Sequence, residues 1–244
     1  MRLIIIGLYA VIGMVLSLPV HVYFAALYKK NPLKSWQKAH GYVRGFFKGI
    51  MFLAGTKVTV KGEENLPDSA ALFIANHRSY FDIIIMQTLV KRPIGFVAKK
   101  EFLKAPIFPL YMKDIGCLFL DRKNVRAGLE TINQGINNMK DGLSIGLYPE
   151  GTRNHKDSLL PFKAGGYRIA EKSDCPMVLT ALTGFDTIFE ANKFHMIRRR
   201  HVTVEFSKPY YPSRMDPKER KEFYESIPDK IQAMLDNLKK ESED

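Results

Sequence analysis

The 244-residue chain is 46% apolar and carries a formal net charge of +12. This length accommodates one α/β domain with a substantial core and a short appendage, and the apolar fraction excludes an intrinsically disordered chain. The positive charge indicates an anionic partner, and composition alone leaves nucleic acid, a phosphate-bearing substrate and a membrane surface all open.

The chain begins with a long apolar segment. Residues 3–28 contain no Asp, Glu, Lys or Arg, and such a stretch is long enough to cross a bilayer core of about 30 Å. We expect a retained membrane anchor rather than a cleaved signal peptide, whose apolar region usually runs about 7–15 residues. Pro19 removes a backbone hydrogen bond in mid-segment, so a simple span and a kinked or re-entrant helix both fit the sequence.

A basic stretch follows. Residues 29–62 carry eight Lys or Arg and no Asp or Glu, which predicts a location at the cell membrane with the domain that follows facing the cytoplasm. Apolar residues recur at helical spacing from Trp36 to Leu53, which fits an interfacial amphipathic helix and, equally, a helix packed on the domain. Because a membrane surface accounts for much of the charge, we expect membrane lipids as partners and no nucleic acid.

From about residue 56, short apolar runs alternate with helical stretches, the pattern of an α/β sheet. We therefore predict an N-terminal membrane anchor and amphipathic helix in residues 1–55, and in residues 56–244 an α/β domain with a mixed, mostly buried sheet flanked by helices. The predicted strands are 57–60, 71–75, 95–98, 117–120, 144–148, 178–182 and 202–206, and the predicted helices are 82–89, 125–140, 164–172 and 217–240.

Polar residues follow three of the predicted strands. His77 follows strand 71–75, Arg122 follows strand 117–120, and residues 149–153 follow strand 144–148. In open α/β sheets, ligands bind outside the carboxyl ends of the strands. The three positions therefore predict a single site.

His77 and Asp82 are candidates for a base and the acid that orients it. Residues five apart on one helix are separated by about 140° around its axis, so the pair cannot meet within a helix. If His77 lies in the turn and Asp82 in the first helical turn, the carboxylate accepts from one imidazole nitrogen and the other accepts a proton from a hydroxyl. The alternative for Asp82 is a capping box that starts at Ser79. The alternative for His77 is a structural role, which is more common for a lone histidine. An acid in the first helical turn can both cap the helix and orient a base, so these alternatives do not exclude catalysis.

Arg122 and Arg153 are candidates for binding phosphate, because the guanidinium fork matches phosphate oxygens. Gly151 lets the backbone approach a ligand closely. The alternatives are ordinary ion pairs, of Arg122 with its neighbour Asp121 and of Arg153 with Glu150.

Together these segments resemble the glycerolphosphate acyltransferase family, and within it the bacterial 1-acylglycerol-3-phosphate acyltransferases. Residues 76–82 match the family's first motif, residues 116–122 are similar to the second, and residues 148–154 are similar to the third. Three motifs in the right order over about 80 residues are far more specific than one His and Asp pair.

The resemblance implies transfer of a fatty acyl chain from acyl-CoA or acyl carrier protein to lysophosphatidic acid, without a cofactor or a metal. It implies that His77 is the base, that Asp82 orients it, and that Lys99 lies near the thioester, with Lys100 as the competing register. The implied acceptor-phosphate site consists of Arg122, Glu150, Gly151, Thr152 and Arg153. An acyltransferase for another lysolipid and a non-catalytic, membrane-anchored lipid-binding protein are the alternatives.

Overall fold

The computed structural model describes residues 1–156 and 158–243, which form eight α-helices and seven strands. The helices are α1 (Arg2–Leu16), α2 (Leu18–Lys30), α3 (Pro32–Ala54), α4 (Phe81–Leu89), α5 (Phe108–Asp114), α6 (Val125–Lys140), α7 (Arg168–Ser173) and α8 (Pro217–Glu243). The strands are β1 (Lys57–Lys61), β2 (Leu72–Ala75), β3 (Ile94–Lys99), β4 (Leu118–Leu120), β5 (Ser144–Leu147), β6 (Met177–Thr183) and β7 (His201–Phe206).

All seven strands form one sheet in the order β1-β7-β6-β2-β5-β3-β4. Only the β6–β7 pair is antiparallel, and the other five pairs are parallel. The predicted mixed α/β sheet flanked by helices is therefore confirmed. Because β2 to β6 run in one direction, their carboxyl ends meet at the same edge of the sheet.

The central strands are buried and mostly apolar because helices cover both faces of the sheet. Leu72 and Ile74 of β2 are buried in a cluster with residues of α6, α7 and α8, whereas Phe73 between them joins a cluster with residues of α3 and α4. Side chains alternate between the faces of a strand, so each face of β2 contributes to a different half of the core.

The N-terminal apolar segment is bent, which is the kinked alternative of the two that fit the sequence. α1 and α2 meet at Ser17 with a bend of 53°, and Pro19 lies in the first turn of α2, where its missing N–H is not needed. No helix within the described residues is alone long and apolar enough to cross a membrane, although the bent α1–α2 pair meets both criteria together. A hydrogen bond between the hydroxyls of Ser17 and Tyr111 and one between His21 and Asp114 attach the pair to α5.

α3 decides between the two alternatives for the helix around residues 36–53. Trp36, Ala39, Val43 and Ile50 on its apolar side are buried in the protein, so the helix packs on the domain. Val43 belongs to the same core cluster as Phe73 of the sheet. Residues from both predicted segments, 1–55 and 56–244, thus contribute to one hydrophobic core. The division into 1–55 and 56–244 stays a prediction, and residues 157 and 244 lie outside the described part.

Two local features differ from the sequence prediction. Residues 164–172 form a 3-10 turn followed by the short α7 rather than one helix. The seven-residue α5 was not predicted. Its sequence contains Pro109, which usually indicates a turn or the end of a helix, and seven residues are too few to show a clear helical period. Asn124 is the N-cap of α6, since its side chain accepts from the backbone N–H of Ala127.

Candidate active site

The sheet brings the predicted site residues to one edge. Ile74 of β2 is paired with Leu147 of β5, so His77 and Glu150, each three residues further on, leave the sheet at the same level. On the far side of β5, Lys99 at the end of β3 is paired with Leu120 at the end of β4, two residues before Arg122. The strand-end positions noted in the sequence therefore do meet in space.

His77 and Asp82 form a hydrogen-bonded pair. Nδ1 of His77 lies 2.8 Å from Oδ2 of Asp82, and the histidine lies in the turn between β2 and α4 while the aspartate lies in the first turn of α4. With Nδ1 donating to the carboxylate, Nε2 is the nitrogen left to accept a proton. The side chain of Asp82 is fully buried and that of His77 is 17% exposed.

Asp82 also supports the turn that leads into α4. Its Oδ2 accepts from the backbone N–H groups of Arg78 at 2.7 Å and Ser79 at 2.9 Å, while Ser79 Oγ accepts from the N–H of Phe81, the first residue of α4. The carboxylate thus holds this turn and orients the imidazole at the same time. Burial raises the pKa of Asp82 above its usual 3.8, opposed by the hydrogen bonds from His77, Ser79 and Arg78.

The backbone of His77 is fixed from the neighbouring strand. Its N–H donates to Oε1 of Glu150 at 2.8 Å, and its carbonyl accepts from the N–H of Asn154 at 2.7 Å. The other oxygen of Glu150 accepts from Asn154 Nδ2 and from the N–H of Leu160. Since the Glu150 side chain is buried and both oxygens are used inside the protein, its observed role is to hold the loop that carries His77.

Tyr148, directly after β5, stacks on the imidazole of His77. The ring centroids are 4.4 Å apart with the planes at 27°, and the ring of Phe96 of β3 also stacks on Tyr148, with centroids 6.3 Å apart. Gly146 makes room for this arrangement, because a Cβ there would lie 2.5 Å from the Phe96 ring. The buried hydroxyl of Tyr148 has no hydrogen-bond partner among the described residues, and burial raises its pKa well above 10.

Arg122 lies against Gly151, which joins the second and third motifs. Gly151 has φ +73°, and a Cβ at this position would lie 3.2 Å from Nη2 of Arg122. Within the described residues, Asp121 pairs with Lys100 at 3.2 Å and no carboxylate lies within ion-pair distance of Arg122. The suggested pair of Arg122 with Asp121 is therefore wrong, and the guanidinium is available to an anion.

Arg153 pairs with Glu190 rather than with Glu150. Its Nη1 donates to Oε1 of Glu190 at 3.2 Å, Nη2 donates to the hydroxyl of Tyr80 at 3.0 Å, and Cζ lies 3.8 Å from the centre of the Tyr80 ring. The suggested pair of Arg153 with Glu150 is therefore wrong. Thr152 beside it is exposed.

Lys99 and Lys100 differ in their surroundings. Lys100 is held by its ion pair with Asp121, whereas Lys99 is exposed at the end of β3 and has no ion-pair partner among the residues described. Of the two lysines, Lys99 therefore has the free ammonium group. Lys99 is also the lysine to which the resemblance assigned the position near the thioester.

Several residues of the site were not singled out in the sequence. They are Tyr148, Asn154, Asp186 and Glu190, together with Asn76, whose buried amide donates to the carbonyl of Leu182 and accepts from its N–H. Asp186 pairs with Arg78 at 3.1 Å. Both acids follow strand β6, so extending the strand-end argument to a fourth predicted strand would have pointed to this segment.

This combination of fold and site defines an acyltransferase. The model of the acyltransferase family matches residues 57–182, which is more than half of the chain and includes His77, Asp82 and Arg153. The chain belongs to this family, and the resemblance seen in the three motifs is confirmed.

Individual relatives carry a more specific name, 1-acyl-sn-glycerol-3-phosphate acyltransferase. The chain is 30% identical to that of Saccharomyces cerevisiae over 96% of its own length and 73% of the relative. It is 32% identical to that of Cocos nucifera over 70% of its length and 30% identical to that of Borreliella burgdorferi over 62%, and it spans 54% and 60% of these two relatives. The crystal structure of the 1-acyl-sn-glycerophosphate (LPA) acyltransferase PlsC from Thermotoga maritima has the same fold, with a TM-score of 0.75, 22% identity and 98% of each chain covered.

Proposed function

We propose that the chain transfers a fatty acyl group from an acyl thioester to the free sn-2 hydroxyl of 1-acylglycerol-3-phosphate, which gives phosphatidic acid for phospholipid biosynthesis. The observation that carries the proposal is the 2.8 Å contact between His77 and buried Asp82 at the sheet edge that also bears Arg122 and Arg153. The names of the relatives support this acceptor.

In the proposed reaction, His77 acts as a general base. Its Nε2 removes the proton from the acceptor hydroxyl while the oxygen attacks the thioester carbonyl. The tetrahedral intermediate collapses as the carbon–sulfur bond breaks, and the proton returns from Nε2 to the departing thiolate. Asp82 stabilises the imidazolium formed between these steps, so the products are an ester and a free thiol, with no covalent enzyme intermediate.

The acceptor phosphate binds Arg122, Arg153 and the exposed loop of Gly151 and Thr152. A guanidinium binds phosphate in a bidentate manner, and Arg122 has no internal counter-ion among the described residues to displace. Glu150 supports the site from behind through the N–H of His77. Arg122→Ala and Arg153→Ala are each expected to raise the KM for the acceptor with a smaller effect on kcat.

Lys99 belongs to the donor side of the site in this proposal, close to the thioester. Lys99→Ala should raise the KM for the donor, which is acyl-CoA or acyl carrier protein. Lys100→Ala is the matched control because its side chain is held by Asp121. Equal effects of the two substitutions would contradict the assignment of Lys99.

The decisive experiment measures thiol release by the detergent-solubilised chain. The acceptors are lysophosphatidic acid, lysophospholipids with larger head groups and glycerol 3-phosphate, each with both donor types. We expect turnover with lysophosphatidic acid and its loss in His77→Ala. His201→Ala is the control, since this exposed histidine lies on β7 and contacts Thr59. Preference for a larger head group would indicate the related lysolipid acyltransferase, and vesicle binding without thiol release would indicate a lipid-binding protein.

We further propose that α1 and α2 lie in the cell membrane, with the active site facing the cytoplasm. Ile4, Leu8, Ile12 and Leu16 form a stripe along α1, and each is more than half exposed. Contiguous exposed apolar surface marks contacts with membranes or partners, and the basic residues in 29–62 complement anionic lipid.

The membrane proposal is tested by flotation with vesicles that contain phosphatidylglycerol. Leu8→Asp combined with Ile12→Asp should reduce flotation strongly, because the charges oppose insertion of the stripe. Val125→Asp is the control, since Val125 is an exposed apolar residue on a different helix, α6. Equal flotation of both variants would contradict the proposal, and protease accessibility in oriented membrane vesicles tests the cytoplasmic orientation.

A further inference from the structure

We propose that Glu190 is a positioning residue that fixes the guanidinium of Arg153 for the acceptor phosphate, an inference that rests on the proposed function. Glu190 lies in the connection between β6 and β7, outside the residues 57–182 that the family model matches. Its side chain is only 6% exposed, so its carboxylate is committed to internal partners.

The carboxylate of Glu190 ties the first motif to the third. Oε2 accepts from Oγ of Ser79 at 2.7 Å, and Oε1 accepts both from the N–H of Tyr80 at 2.9 Å and from Nη1 of Arg153 at 3.2 Å. Its two oxygens thus receive three donors from two different loops. A buried carboxylate with this many donors is fixed in place, and it transmits that position to Arg153.

The donors of Arg153 divide between internal partners and a ligand. A guanidinium carries five N–H groups, of which one on Nη1 donates to Glu190 and one on Nη2 donates to Tyr80. The N–H on Nε and one on each terminal nitrogen have no partner among the described residues, and the side chain is 30% exposed. The ring of Tyr80 covers one face at 3.8 Å, so the plane is fixed while enough donors stay free for a bidentate contact with phosphate.

The hydrogen bonds and the negative charge of Glu190 have opposite effects on binding of the acceptor phosphate. Its negative charge repels a phosphate, whereas its hydrogen bonds pre-organise the cation that binds it, which reduces the entropy lost on binding. A glutamine in its place keeps an oxygen that accepts from Tyr80 and Arg153, and its amide N–H donates to Oγ of Ser79. Alanine removes both the charge and the hydrogen bonds, so the two substitutions separate position from charge.

The test uses the full chain in detergent, with lysophosphatidic acid varied at saturating donor. Glu190→Ala should raise the acceptor KM by about tenfold or more and change kcat by less than about threefold, whereas Glu190→Gln should keep the KM within about threefold of the unsubstituted chain. In an Arg153→Ala background, Glu190→Ala should change the KM by less than about twofold, because its effect passes through Arg153.

Glu171→Ala is the matched control. Glu171 on α7 is a partly buried glutamate that contacts Arg220 and Tyr224 on α8, so its loss removes a similar ion pair elsewhere in the molecule. It should change thermal stability without changing the acceptor KM. If Glu190→Ala does not fold, Glu190→Asp replaces it, since the shorter side chain withdraws the oxygens and should raise the KM while glutamine does not.

Three outcomes would each overturn the role of Glu190. The first is a folded Glu190→Ala variant with an unchanged acceptor KM, and the second is equal impairment by glutamine and alanine. The third is independent effects of the two substitutions on the acceptor KM in the double variant. If Arg153→Ala raises the KM and the Glu190 variants do not, only this inference fails. If Arg153→Ala itself leaves the KM unchanged, the proposed phosphate site fails with it.

Discussion

The phenol ring of Tyr148 lies against the imidazole of His77, with centroids 4.4 Å apart and planes at 27°. The hydrogen bond to Asp82 fixes Nδ1 but lets the imidazole ring turn about the line of that bond. The contact with Tyr148 restrains this rotation. The imidazole is thus held by a hydrogen bond from Nδ1 to a carboxylate and by contact of its face with an aromatic ring.

Tyr148→Phe should retain activity and be at least as stable as the unsubstituted chain. Its buried hydroxyl has no partner among the described residues, and an unpaired buried hydroxyl costs roughly 1–3 kcal/mol. Tyr148→Leu removes the stack, worth about 0.5–1.5 kcal/mol, and should lower kcat by up to about tenfold. Steady-state rates and thermal unfolding measure both effects, and loss of activity in the phenylalanine variant would show that the hydroxyl takes part.

Replacing Asp82 separates its two roles. The amide oxygen of Asp82→Asn can still accept from the N–H groups of Arg78 and Ser79, so the turn before α4 is largely kept, but the negative charge beside the imidazole is lost. We expect kcat to fall by about 10²-fold or more. Asp82→Ala should be equally slow and should lose roughly 1–3 kcal/mol of stability, because the N–H groups of Arg78 and Ser79 lose their acceptor. An asparagine variant with near-normal kcat and reduced stability would show that Asp82 has only a structural role.

The buried carboxyl of Asp82 also predicts a dependence of stability on pH. Its pKa is raised by burial above the usual 3.8, so between 3.8 and the folded pKa the folded chain keeps a proton that the unfolded chain has lost. This contribution to stability is present below pH 3.8 and is lost as the pH rises through the folded pKa. Asp82→Asn does not titrate and should therefore gain stability relative to the unsubstituted chain as the pH rises above about 4. Urea unfolding of both proteins in detergent across pH 4–8 measures the difference, and a constant difference would contradict the raised pKa.

Gly151→Ala should impair binding of the acceptor. At φ +73°, a residue with a Cβ is strained by roughly 1–2 kcal/mol, and the new Cβ would lie 3.2 Å from Nη2 of Arg122. We expect a higher acceptor KM and a lower unfolding temperature. Gly165→Ala is the control, because a Cβ there meets nothing within 4 Å. Equal acceptor KM values for the two variants would show that the position of Arg122 does not depend on Gly151.

The pattern of apolar runs was sufficient to predict every strand, because each central strand is buried on both faces and each helix on one. The five-residue spacing of His77 and Asp82 correctly predicted a turn between them, since a continuous helix would have pointed them apart. The ion pairs considered as alternatives for the two arginines are not formed. Both alternatives paired an arginine with a neighbour in sequence, whereas Arg153 pairs with Glu190, 37 residues away, and Asp121 pairs with Lys100.

The sequence by itself predicted the α/β class, the pairing of His77 with Asp82, and three strand ends that carry polar residues, because these follow from local periodicity and from motifs with a fixed spacing. Only the tertiary structure decided that α3 packs on the domain, that Tyr148 stacks on His77, and that Asp186 and Glu190 hold the loop after β2. Strand order and the choice of ion-pair partner depend on contacts between segments far apart in the chain. Local residue patterns do not show which distant segments come close together in space.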